Sequence, residues 1–175
     1  YIGEGADVVV VAGCGVHNDG EEQARHNGIH RFFLEKGARV LYKEKHIGTG
    51  KGTGLRKIDP VTDCVLDEDS YLELNGEDSG ADLVSRSVAR GNSHQAFYSV
   101  VEGNNRCTGH SACDAILADN GKVDAQPALN AANVDAALIH EAAIGKIAGE
   151  QILKLCSLGL TREEAEEKII EGFLK

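Results

Sequence analysis

Between residues 82 and 130 the chain alternates, about every ten residues, between runs that favour strands and clusters that favour turns, and this rhythm limits the folds open to it. Residues 6–12, 38–45, 63–74, 82–90 and 95–102 are short, β-branched or alternating, and predict strands. Between them stand NDG at 18–20, NGED at 75–78, RGNS at 90–93 and EGNN at 102–105, combinations that turn the backbone. Such spacing suits a meandering sheet, a sandwich or a β-solenoid; without an exact repeat the sequence permits the solenoid and does not single it out.

With 175 residues, 42% of them apolar, the chain can bury a core of ordinary size. Only 5% is aromatic while 21 residues are Gly, which fits many short elements joined by tight turns. A net charge of −10 disfavours nucleic acid and anionic membranes as partners, because phosphate contacts need clustered Lys and Arg. No apolar run approaches the roughly 20 residues that cross a bilayer, and no signal segment opens the chain, so a cytoplasmic protein is expected. The five cysteines, Cys14, Cys64, Cys107, Cys113 and Cys156, are an odd number, which argues against a disulfide framework. The chain starts on Tyr1 and has no Met, and is expected to be a fragment with stretches missing inside it.

From about residue 136 the apolar period changes. Ile144, Ile147, Ala148, Ile152, Leu155 and Cys156 follow helical spacing, and Gly159 stands where a helix C-cap belongs. Thr161 and Glu164 form a capping-box pattern, after which Ala165, Ile169 and Phe173 share a face. The expected organisation is a mainly β core over 1–135 and a small helical domain over 136–175.

Two motifs imitate nucleotide sites. ADVVVVAGCGVHN, a possible helix and a second strand ending near Glu44 resemble the start of a dinucleotide-binding unit, which keeps an oxidoreductase as the lesser alternative. Asn18 replaces the third glycine, however, and Gly28 interrupts the supposed helix. GTGKGTG at 48–54 resembles a phosphate loop, but Lys45 occupies the place of its leading glycine and LRKIDP follows in place of a helix, so a turn is expected.

Chemistry concentrates elsewhere. CTGHSACDAIL supplies Cys107, His110 and Cys113, and a His140–Glu141 couplet interrupts an otherwise small-residue run. The couplet is no zinc-protease helix, because position 144 is Ile. Thiolate, imidazole and carboxylate suit iron, zinc or an iron–sulfur cluster if the fold joins the two segments; otherwise these are core residues. A second polar group comprises Cys14, His17, His26, His30 and His46.

CDAIL at 113–117 followed by IHEAAIGKIAGEQILKLCSLGLTREEAEEKIIEGFLK at 139–175 resembles the C-terminal part of the SufB/SufD family, above all its short archaeal and anaerobe SufB-like members. The resemblance implies a right-handed parallel β-helix core with a C-terminal helical domain. It also implies a non-catalytic scaffold that pairs as a homodimer through its core, receives sulfur from a donor, and hands a transient Fe–S cluster to apo proteins. ATP would be hydrolysed on a SufC-type ABC ATPase bound to the helical end, with Ile152, Leu155, Ile169 and Phe173 as docking residues. Cys113 falls on the family's cysteine for sulfur or cluster, and His140 and Glu141 on its further ligands. Glu after the histidine favours a SufB-like over a SufD-like role, and some relatives use a reduced flavin.

Overall fold

The computed structural model describes residues 1–18, 24–50 and 64–175. Nine strands precede two helices among them: β1 Asp7–Asn18, β2 Ala24–Leu34, β3 Arg39–Gly50, β4 Cys64–Leu74, β5 Ser79–Gly91, β6 Ser93–Gly103, β7 Cys107–Leu117, β8 Lys122–Ala131, β9 Ala136–Gly145, α1 Gly149–Ser157 and α2 Arg162–Phe173. Odd strands form one parallel sheet, β1-β3-β5-β7-β9, and even strands another, β2-β4-β6-β8. Each strand therefore pairs with the one two places along, in unbroken register. This is a β-solenoid of about four turns.

Alternation makes the solenoid. Along β6 the inward positions Ser93, Gln95, Phe97, Ser99 and Val101 are buried, while their neighbours face out. Between the sheets Leu34, Val40, Tyr42, Leu72, Leu74, Leu83, Phe97 and Val101 form the core, each large apolar side chain contributing about 1.5–3 kcal/mol by leaving water. The expected NGED turn joins β4 to β5, and there a Cβ on Gly76 would stand 2.1 Å from the Glu35 carbonyl carbon and the Lys36 nitrogen of the coil beneath. Only glycine lets these coils stack. Arg106, one coil further, is clasped by Asp78 at 2.8 Å and Glu77 at 3.0 Å. The NDG turn beyond Asn18 and the GTGKGTG segment beyond Gly50 lie outside the described residues.

Two expectations are corrected. The supposed helix of the dinucleotide motif is strand β2, which carries the chain to the opposite sheet, so β1 and β3 pair without a βαβ unit. The helical region begins at Gly149, not 136: residues Ala136–Gly145 form strand β9, in register with β7. Small residues there fit either period, and pairing with the exposed edge of β7 decides for strand.

The hairpin closes as its sequence implies. Gly159 adopts φ +99°, its N–H reaching Cys156 O while Leu160 N–H reaches Leu155 O, a Schellman ending. Thr161 and Glu164 form the reciprocal capping box. Ile170 is buried against Val88 and Ile116 on the outer face of the odd-strand sheet, with Ile147, Ile169, Phe173 and Leu174 around it. Arg86 donates to the Phe173 carbonyl at 2.9 Å, and Arg90 pairs with Glu167. Among the described residues no helix is long and apolar enough to cross a membrane.

Candidate functional site

Cys113 and His140 share the solenoid interior. His140 on β9 is the register partner of Ser111 on β7, two residues before Cys113 on the same inward face. Strand spacing and rise place the two Cα atoms roughly 8 Å apart. Cys113 is 4% exposed. Burial, then the negative charges of Glu44 and Asp114, push its thiol up to about 12. His140 is half-buried, and burial followed by the charge of His110 lowers its pKa. The His140 Nδ1 and Ser111 Oγ are buried and have no hydrogen-bond partner among the described residues.

Glu141 faces the other way. On the outer face, His110 stands between two carboxylates, with Nδ1 3.2 Å from Asp82 Oδ1 and Nε2 3.3 Å from Glu141 Oε1. A groove of about 400 Å³ adjoins this group, lined by Arg39, Leu41, Gly80, Thr108 and Ile139 among others. Within one copy, then, β9 separates the ligands that the sequence grouped: Cys113 and His140 inside, His110 and Glu141 outside. Cys107, another candidate, is buried at the start of β7 as part of the core.

The N-terminal polar group also divides. His17 is exposed and bonds Thr49 Oγ1 at 2.6 Å, while His30 packs on the Tyr42 ring at 5.4 Å. His26 and Cys14 are half-buried. His46 is buried, and its Nε2 lies 3.3 Å from Glu44 Oε2. Glu44, which the sequence offered only as the ribose acid of a false motif, is 1% exposed and also accepts from Ser70 at 2.7 Å. Burial pushes the Glu44 carboxyl up, but hydrogen bonds from His46, Tyr42 and Ser70 outweigh that and hold it below its ordinary value. The signal was legible: Val40, Tyr42, Glu44 and His46 alternate onto one face. Among the described residues no three His, Cys, Asp or Glu stand together as a metal-binding group.

On the hairpin, Ile152 is buried, Leu155 half-buried, and Ile169 and Phe173 pack against the solenoid. The exposed large apolar side chains of the hairpin are Leu153, 70% exposed, and Leu158, 72% exposed.

The chain is 29% identical over 217 aligned residues to an iron-sulfur cluster assembly SufBD family protein of Methanothermobacter thermautotrophicus, covering 98% of this chain and 53% of that protein. It is 33% identical over 158 residues to a SufBD family protein of Pyrococcus horikoshii, covering 87% of this chain and 48% of that one. With one of Archaeoglobus fulgidus it shares 39% over 112 residues, 63% of this chain and 30% of that protein. The chain thus spans about half the length, or less, of these curated relatives. The family profile described as SUF system FeS cluster assembly, SufBD core domain, matches residues 61–173. With well over half its length matched, the chain belongs to the SufBD family of iron–sulfur cluster assembly proteins.

Proposed function

We propose that this chain is a SufB-like scaffold on which a nascent Fe–S cluster forms, with Cys113 and His140 as ligands, and that it works with a SufC-type ABC ATPase. Membership of the family places it in cluster assembly; the finer reading rests on the observation that Cys113 and His140 face one interior from adjacent strands, β7 and β9, of successive coils. One thiolate and one imidazole make a weak hold, which suits a scaffold that must release its cargo, whereas four cysteines would retain it. A second copy meeting the end of the solenoid where, among the described residues, β8 and β9 are the border strands, would double the donor set and bring Glu141 pairs to the rim of the joint. The expected role is that of a non-catalytic subunit, with sulfur supplied by a donor protein and the cluster passed to apo acceptors. The reduced flavin gains no support from the fold or the relatives and is left out.

One observation favours a second reading, a SufD-like structural partner without its own cluster: Glu141 points away from Cys113, and the Cys113 thiol is buried and neutral. Anaerobic reconstitution with iron and sulfide separates the two. The scaffold reading expects wild type to retain cluster and Cys113→Ala to lose most of it; absence of cluster in wild type, with tight binding of the ATPase, supports the SufD-like reading instead.

A further inference from the structure

The buried Glu44–His46 pair is not among the proposed cluster ligands, although Glu44 lies in register with Cys113 two strands away, and its chemistry is incomplete. Glu44 takes hydrogen bonds from Ser70 and His46, of which only His46 can carry a positive charge. His46 offers Nε2 to this carboxylate, while its Nδ1, with a side chain only 4% exposed, has no partner among the described residues. If His46 is neutral, Nδ1 is a buried lone pair with nothing to bind and Glu44 an uncompensated charge. If His46 is protonated, Nδ1–H is a buried donor with no acceptor. Either state leaves a buried polar group unsatisfied, and native interiors rarely leave such a group without a role.

A carboxylate holding one imidazole nitrogen so that the other faces outward is the arrangement that orients metal-binding histidines. The inward residue beside His46 on the neighbouring strand is Cys14, its register partner on β1. We propose that Cys14 and His46, with Glu44 behind the imidazole, form an interior site for a thiophilic divalent transition ion, iron(II) or zinc(II). The ion displaces the Cys14 proton to solvent and forms a metal–thiolate bond. Its two positive charges are then met by one thiolate and the Glu44 carboxylate, so the interior becomes electrically neutral. Two protein donors are what the strands supply, with solvent completing the shell, in keeping with the absence of any three-residue group among the described residues. Of the five N-terminal Cys and His candidates, register selects these two: His17 faces solvent, and His26 and His30 lie on β2 of the opposite sheet, His30 packed at a tilt on Tyr42.

Cobalt(II) titrated anaerobically into metal-free Cys113→Ala tests this, because a thiolate–cobalt bond gives a charge-transfer absorption band and that background lacks the thiol of the proposed cluster site. The band is expected, saturating near one equivalent. In the same background Cys14→Ser should abolish it, His46→Gln should weaken binding at least about tenfold, and Cys156→Ala, on the hairpin, should leave it unchanged. Circular dichroism of each variant checks folding, and if His46→Gln does not fold, the near-isosteric Cys14→Ser decides alone. No band in the Cys113→Ala background, a band that persists when Cys14→Ser is added, or one lost with Cys156→Ala overturns the proposal. Since Cys113 is absent throughout, the outcome is independent of whether the cluster site stands.

Discussion

Cys113 illustrates how environment sets what a residue can do. Buried and near Glu44 and Asp114, it is a neutral thiol, raised from an ordinary value of 9.0 to about 12. The folded state therefore holds a proton that the unfolded chain releases above about pH 9, so folding stability is full below that pH and falls as pH rises towards 12. Chemical denaturation of wild type against Cys113→Ala should show the wild type losing stability faster over that window, and the two should run parallel below it. Ligation of a cluster must remove this proton, so a metal ion has to be close before the thiolate forms.

At the scale of elements, the strands after residue 82 were legible in the spacing of turn residues, and the helix hairpin in its capping box and Gly159. β9 was not: the run around Ala142, Ala143 and Ile144 satisfies both periods, and only the free edge of β7 makes it a strand. That error matters for the site, since on a strand His140 and Glu141 take opposite faces, whereas the sequence grouped them. The intercoil contact at Gly76 gives a direct test of the stacking. Gly76→Ala forces a Cβ against the backbone of Glu35 and Lys36 and should cost at least about 2 kcal/mol by denaturation, within the range for overpacked positions. On the hairpin, Ile169 and Phe173 are committed to the solenoid, so the proposed docking of an ATPase would fall to the exposed Leu153 and Leu158. Leu153→Asp with Leu158→Asp should lower affinity for a SufC-type ATPase at least about tenfold in a titration, a loss of ~1.4 kcal/mol, without shifting the melting temperature; unaltered affinity counts against this face.

Considered whole, the molecule is a stack of coils in which, among the described residues, β8 and β9 border their sheets without a further strand, and the last coil leaves interior side chains, Leu138 and His140, half-exposed. Such edges invite pairing with another chain, and here pairing would bring two Cys113–His140 sets towards one another. Ala143→Arg, an exposed change on the outer face of β9, away from Cys113, should convert the proposed dimer into a monomer in sedimentation equilibrium and reduce cluster retention with it. A dimer that survives the substitution would move the interface elsewhere. Sequence resemblance carried the family, while the division of the candidate ligands between two faces required the register of β7 with β9.

Anaerobic reconstitution followed by Mössbauer spectroscopy of wild type, Cys113→Ala and His140→Ala tests the central claim most directly. The account predicts a cluster in wild type, most of it lost from Cys113→Ala, and an altered iron signature in His140→Ala. Equal cluster content and identical spectra in all three proteins would contradict it.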